Sequence, residues 1–100
     1  MTELQRDKAF YFFTSIGNYT GEYACSLKEF LQKVKEIDSK SLEFHLYRED
    51  FQRWIRDIMA NEELAEELHK IMRLNLKGEP LRTKISNAVL NFVIIGKKKR

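Results

Sequence analysis

Cysteine and proline are scarce in this sequence, and their scarcity excludes several classes of protein. Of the 100 residues one is a cysteine, Cys25, and one is a proline, Pro80. A single cysteine cannot form an internal disulfide or supply a four-thiolate zinc site. Four glycines and one proline are too few for a collagenous or low-complexity chain. The composition therefore predicts one folded domain with no disulfide framework and no resident cofactor.

Long apolar runs are also missing. The longest, near residues 10–13 and 93–95, fall far short of the roughly 20 residues that cross a bilayer. The first seven residues include acidic side chains and lack the apolar centre of a signal peptide. We therefore expect a cytoplasmic protein with no membrane partner.

Charge is unevenly distributed along the chain, although the formal net charge is only +3. Residues 1–67 carry nine Lys/Arg against fourteen Asp/Glu, a net charge of −5. Residues 68–100 carry nine Lys/Arg against one Asp/Glu, a net charge of +8. Four of these basic residues form the terminal run 97–100, so we divide the chain into a domain of residues 1–96 and a basic tail. Such a run either solubilises a frayed end or binds an acidic partner.

Most of the remaining sequence has helical periodicity. A capping box at Ser26 to Glu29 predicts a helix start, and a second start is predicted where Asn61 precedes two glutamates. Asp50 is predicted to cap a further helix. Gly78 suits a left-handed position and Pro80 the first turn of a last helix that runs towards residue 95.

Two segments are ambiguous. In residues 41–47 the apolar side chains alternate as in a strand but also fit one helical turn, and we favour a short helix because no partner strand is evident. The aromatic cluster at residues 10–13 fits helix or strand, with a loop favoured after residue 15. The prediction is an all-α fold: one compact domain of about five short helices, whose N-terminal aromatic segment is irregular or a short strand.

A set of residues between 10 and about 92 resembles a small-domain family of archaea and bacteria that is known only as a domain of unknown function. Its most specific part is the segment from His45 to Trp54, which combines a histidine, an Asp-Phe pair and a tryptophan. The resemblance implies a prokaryotic, specifically archaeal, cytosolic protein, and it implies no activity. The matching residues are Phe12-Phe13-Thr14-Ser15-Ile16-Gly17, Gly21, Ser26-Leu27, Glu29-Phe30-Leu31, Ser41-Leu42-Glu43-Phe44-His45-Leu46, Asp50-Phe51, Trp54-Ile55 and Leu64-Ala65.

One polar site is a candidate for chemistry. His45 and Asp50, with Glu43 and Arg48 nearby in sequence, form a possible polar site beside Trp54, and a histidine with a carboxylate neighbour is the minimum for acid–base work. The alternative is structural: His45 bonds a backbone group or a carboxylate at a helix junction, and Trp54 packs in the core. No nucleophile is evident in the chain, so we expect no enzyme and no small-molecule substrate.

Two kinds of partner remain. The first is a protein, including a second copy of this chain, bound through residues 92–95 or the N-terminal aromatic residues. The second is RNA or the ribosome, contacted through phosphates by the basic last third. A single Glu66-x-x-His69 pair has the spacing of a di-metal site but lacks the further ligands. The candidate nucleic-acid-binding residues are Lys70, Arg73, Lys77, Arg82, Lys84, Lys97, Lys98, Lys99 and Arg100.

Overall fold

The computed structural model describes residues 4–98, and the side chains of residues 4–94. A 3₁₀ turn at Arg6–Lys8 leads into the strands β1 (Phe10–Ser15) and β2 (Asn18–Ala24). Five helices follow, and a π-helical segment, Trp54–Ile58, continues the third of them. The five helices are α1 (Leu27–Glu36), α2 (Ser39–Tyr47), α3 (Asp50–Arg53), α4 (Glu62–Met72) and α5 (Gly78–Lys98).

The N-terminal hairpin corrects the all-α prediction. Strands β1 and β2 pair antiparallel around a tight turn at residues 16 and 17, where Gly17 has a φ of 84°. A positive φ is readily adopted by glycine and fits a two-residue hairpin turn. The prediction of a loop after residue 15 is therefore wrong beyond this turn, since β2 begins at Asn18. The protein is mostly helical, with a small two-stranded sheet.

The helix predictions are largely confirmed. The Ser26 hydroxyl accepts a hydrogen bond from the Glu29 N–H at 3.1 Å, as a capping box requires, although the Glu29 carboxylate reaches back to the Cys25 N–H. Asn61 caps α4 through the Leu64 N–H. The ambiguous segment 41–47 lies within α2, so the choice of helix over strand is confirmed.

One helix end is capped by a side chain from a distant helix. The backbone N–H of Gly78, at the start of α5, donates to the Glu43 carboxylate of α2 at 2.9 Å. Gly78 itself has a φ of 63°, the left-handed position that was predicted. The contact ties the first turn of α5 to the middle of α2.

All the elements surround one hydrophobic core. The radius of gyration, 12.5 Å, matches the value of about 13 Å typical of a single 100-residue domain. Aromatic rings from β1, α1 and α3 fill one part of this core, and aliphatic side chains of α4 and α5 fill another. Within residues 4–98, the helices include none with the length and apolar character needed to cross a membrane.

Candidate functional site

His45 lies at the contact between α2 and the hairpin, and it is 4% exposed. Its Nε2 accepts the backbone N–H of Phe13 at 2.8 Å. Its Nδ1 lies 2.9 Å from Oδ2 of Asp50. Because Nε2 accepts a hydrogen bond from the Phe13 N–H, it carries no proton. The ring proton is therefore on Nδ1, which donates a hydrogen bond to Asp50. The imidazole is therefore neutral, and both of its nitrogens are engaged.

Burial reinforces this neutral state. Desolvation lowers the pKa of His45 below its usual value of 6.5 and outweighs the hydrogen bond and charge of Asp50, which raise it. The Arg48 charge lowers the pKa further. A substrate could exchange a proton with this ring only if one of the two existing hydrogen bonds broke first.

Asp50 accepts hydrogen bonds from three side chains. Besides His45, Oδ2 accepts from Nε of Arg48 at 3.1 Å, and Oδ1 accepts from a terminal nitrogen of Arg53 at 2.6 Å. The prediction that Asp50 caps a helix is wrong, because Glu49 occupies the position before α3 and makes no side-chain cap bond. Glu49 has a φ of 68°, and this left-handed turn separates α2 from α3.

Trp54 completes the predicted trio as a core residue. Its indole N–H donates to the Lys8 carbonyl at 2.8 Å, and its ring lies 5.3 Å from that of Phe30 and 5.6 Å from that of Phe10. It is 7% exposed. Trp54 thus ties the segment before β1 to the start of the π-helical turn.

These three residues line one side of an open cleft of about 450 Å³ between the hairpin and the α2–α3 junction. The cleft has the size of small-molecule and side-chain pockets. Ile16, at the hairpin tip, is 82% exposed. The walls are formed on the hairpin by Tyr11, Phe13 and Ile16, and on the helices by Phe44, Arg48 and Arg53.

A second hollow, of about 550 Å³, lies between β2 and α1. Charged side chains that line this hollow bond to one another or to the backbone. Lys33 pairs with Glu22 at 2.7 Å, and the Glu29 carboxylate accepts the Cys25 N–H. Arg6 lies over the ring of Tyr23. The charges of this hollow are thus largely satisfied by the protein itself.

Two of the candidate basic residues bond to other groups of the protein. A terminal nitrogen of Arg82 donates to the Val34 carbonyl at 2.9 Å and to the Ile37 carbonyl at 2.6 Å, and so caps the end of α1. Nε of Arg82 also donates to Glu79. Lys70 lies 3.5 Å from Glu67. These two cations therefore have partners within the protein.

The other basic residues lie towards both ends of α5. Arg73 and Lys77 flank the turn that precedes α5, and Lys84 is exposed in its second turn. Lys97 and Lys98 lie at its far end, about 20 Å beyond Lys84 at 1.5 Å per residue. The side chains of Lys97 and Lys98 fall outside the described part, as do Lys99 and Arg100 entirely.

The apolar end of α5 is only partly open. Phe92 and Val93 pack against the core as half-buried residues, whereas Ile94 is 48% exposed. The side chain of Ile95 lies outside the described part. Within residues 4–94, this end thus offers one well-exposed apolar side chain.

The remaining predicted groups do not assemble. Among the described residues, no group of three His, Cys, Asp or Glu side chains could hold a metal ion, although Nε2 of His69 lies 3.8 Å from a carboxylate oxygen of Glu49. Glu43, expected near His45, bonds to Gly78 instead. Arg53 was not identified from the sequence, and its position three residues after Asp50 on a helix is the signal that would have found it.

Comparisons with models of known protein families, with curated proteins and with solved structures found no match to this chain. The resemblance to the archaeal and bacterial family therefore stays a prediction.

Proposed function

We propose that this protein is a small, non-catalytic cytoplasmic binding domain, and that it contacts a partner protein through the cleft between the hairpin and the α2–α3 junction. The observation that carries the proposal is the cleft itself. It combines aromatic walls, an 82% exposed Ile16 and two half-exposed arginines. Protein interfaces are enriched in aromatic residues and arginine.

One of the three left-handed non-glycine residues of the described chain lies between two residues of the cleft. Glu49 adopts a left-handed φ of 68° between Arg48 and Asp50, a conformation that costs a non-glycine residue about 1 kcal/mol or more. The π-helical segment that begins at Trp54 borders the same cleft. Residues in rare backbone conformations and π-bulges are concentrated at functional sites.

The state of His45 supports binding over catalysis. Its two nitrogens hold the Phe13 N–H and the Asp50 carboxylate, so the ring fixes the hairpin against α3. A histidine in this role sets the shape of the cleft and needs no substrate.

The experiment uses two matched surface variants. We would identify a partner by crosslinking in an extract of the source cells, purify that partner, and measure its affinity for the protein by isothermal titration calorimetry. Ile16→Asp places a charge at the cleft, and Leu74→Asp places one at an exposed apolar residue elsewhere, since Leu74 is 52% exposed. We expect Ile16→Asp, but not Leu74→Asp, to weaken partner binding at least about tenfold. The reason is that the partner would have to bury the new aspartate charge at the cleft. Equal affinities for the two variants would contradict the proposal.

The protein partner could also be a second copy of this chain. Sedimentation equilibrium over a hundredfold range of concentration distinguishes this case, because a homodimer gives a mass that rises with concentration and survives high salt. A mass that stays at 12.0 kDa excludes self-association over that range and leaves a different chain as the proposed partner.

RNA or ribosome binding is the second proposal. It is supported by Arg73, Lys77 and Lys84, which are exposed and have no carboxylate within ion-pair distance among residues 4–94. Phosphate contacts predict binding that falls steeply with salt. RNA affinity at two salt concentrations, measured for the full chain and for a chain ending at Gly96, tests this proposal and the role of residues 97–100.

A further inference from the structure

The two arginines of the cleft use only part of their hydrogen-bonding capacity. A guanidinium has five N–H donors. In the described part of the chain, the guanidiniums of Arg48 and Arg53 each donate one hydrogen bond, and both bonds go to Asp50. Their side chains are 49% and 52% exposed, respectively. Both guanidiniums therefore retain donors that are open to a ligand.

The charge of this group is not balanced. Asp50 is the one acidic residue that lines the cleft, and it faces two arginines. His45 adds no charge, because its Nε2 accepts the Phe13 N–H and its Nδ1 donates to Asp50. The cleft thus carries one excess positive charge, which one carboxylate of a ligand would neutralise.

The arginines are also held in place for a planar anion. The guanidinium of Arg48 lies over the Phe44 ring, 4.9 Å from its centroid, which leaves the edges of the guanidinium for hydrogen bonds. Asp50 bonds to both arginines through its two oxygens, so their charged ends lie around a single carboxylate. Guanidinium groups bind carboxylates through two parallel N–H donors, so the free donors of these arginines suit a carboxylate in chemistry and in charge.

Apolar surface lies next to the arginines. Phe13 and Phe44 are half-buried in the walls, and Ile16 extends from the hairpin tip. The volume of about 450 Å³ accommodates one or two side chains. A ligand that satisfies the arginines would therefore also place a neighbouring group on an apolar wall.

We propose that the cleft binds an acidic and apolar peptide segment of the partner protein. The side-chain carboxylate of the segment bonds to Arg48 and Arg53, and the apolar side chain beside it packs against Phe13 and Phe44. This inference rests on the proposed function, because it names the chemistry that the same cleft recognises. The charge complementarity of the arginines selects this occupant.

The test is a titration of the ¹⁵N-labelled full chain, followed by NMR, with three capped tetrapeptides. The first, Ac-Gly-Asp-Phe-Gly-NH2, carries both groups; the second has Asn for Asp, and the third has Gly for Phe. We expect shifts of the Phe13, Phe44 and Arg48 amides, and about tenfold weaker binding for each of the second and third peptides. A charge-assisted hydrogen bond and a buried aromatic ring each support an effect of this size.

Three variants locate the effect. Arg48→Gln and Arg53→Gln should each bind the first peptide only as tightly as the intact protein binds the Asn peptide. Arg56→Gln is the matched control, because Arg56 is equally exposed, pairs with Asp57 and lies outside the cleft. Amide shifts far from the substitution that match those of the intact protein show that each variant has folded.

The outcomes separate this inference from the proposed function. Equal affinity for the Asp and Asn peptides overturns the carboxylate preference and leaves the cleft as an apolar docking surface. Contacts this few predict a Kd of about 10 mM for the first peptide. If none of the peptides binds in the cleft of the folded protein at concentrations up to about 20 mM, the inference is overturned. If Ile16→Asp then also leaves the affinity for the purified partner unchanged, the proposed function fails with it. Tighter binding of inorganic phosphate than of the Asp peptide would overturn the inference in favour of a nucleic-acid or phosphate ligand.

Discussion

The aromatic and the aliphatic parts of the core are built differently. The aromatic part surrounds His45, a hydrogen-bonded polar ring, with the phenyl groups of Phe10, Phe12 and Phe51. In the aliphatic part α4 packs against α5, and Leu68 of α4 and Leu81 and Ile85 of α5 are fully buried there. The cleft, the left-handed Glu49 and the π-helical segment all border the aromatic part. This part combines packing with directional bonds, and such bonds are what position a binding surface.

The largest expected effect comes from removing a ring at the centre of the aromatic part. Phe51 is fully buried, with its ring 5.1 Å from those of Phe10 and Phe30. We expect Phe51→Ala to lower the free energy of unfolding by about 3–5 kcal/mol. Val89→Ala, in the aliphatic part, should cost about 2 kcal/mol because it removes fewer atoms. Urea denaturation measures both, and equal losses would remove the distinction between the two parts.

The next effect concerns the hydrogen bonds of His45. His45→Leu introduces an apolar side chain that leaves the Phe13 N–H without its acceptor and removes one of the three side-chain donors to Asp50. We therefore expect the free energy of unfolding to fall by about 2–3 kcal/mol. His45→Gln restores an acceptor and should recover part of this loss. A His45→Leu protein as stable as the original would show that these bonds contribute no net stability.

A smaller effect is expected at Arg82, which joins α5 to the end of α1. Arg82→Met keeps the apolar stem of the side chain but removes the hydrogen bonds to the Val34 and Ile37 carbonyls. We therefore expect the free energy of unfolding to fall by about 1–2 kcal/mol. Lys84→Met, on the same helix and exposed, is the control and should change stability by less than about 0.5 kcal/mol. If the two variants lose the same stability, Arg82 is an ordinary surface cation.

The smallest expected effect is a pH dependence. The pKa of His45 is lowered in the folded protein by burial, so the unfolded chain takes up the proton more readily. The contribution of the neutral ring to the free energy of unfolding is therefore fully present above the pKa of histidine in the unfolded chain, about 6.5. This contribution is lost as the pH falls from there through the lower pKa of His45 in the folded protein. Urea denaturation at pH values between about 7.5 and 5.5 should show that the free energy of unfolding falls more steeply for the original protein than for His45→Gln. Parallel curves would contradict this assignment.

The helices were predictable from sequence because their signals are local. The caps at Ser26 and Asn61 and the stripes of apolar residues lie within single segments. A short strand was one alternative for the aromatic segment, and β1 confirms it. The sequence did not decide between the alternatives because Phe10 to Phe13 are aromatic on both faces of β1, which hides the alternation of a strand. Its partner β2 is mostly exposed and polar, so it lacks an apolar face to mark it.

The site was predictable only in part. His45 and Asp50 were identified together, but five residues is not the spacing of neighbours on one helix face. Their contact depends on the left-handed turn at Glu49. A glutamate rarely adopts this conformation, and no sequence pattern predicts it here. The bond from the Phe13 N–H to His45 links residues 32 positions apart, which only the tertiary fold determines.

The capping of helix ends by distant side chains has a consequence for how the protein unfolds. The first turn of α5 depends on Glu43 of α2, and the last carbonyls of α1 depend on Arg82 of α5. Neither end is satisfied in a fragment that lacks the other helix. The three helices therefore gain and lose their terminal bonds together, which favours a single cooperative transition in which no helix melts alone.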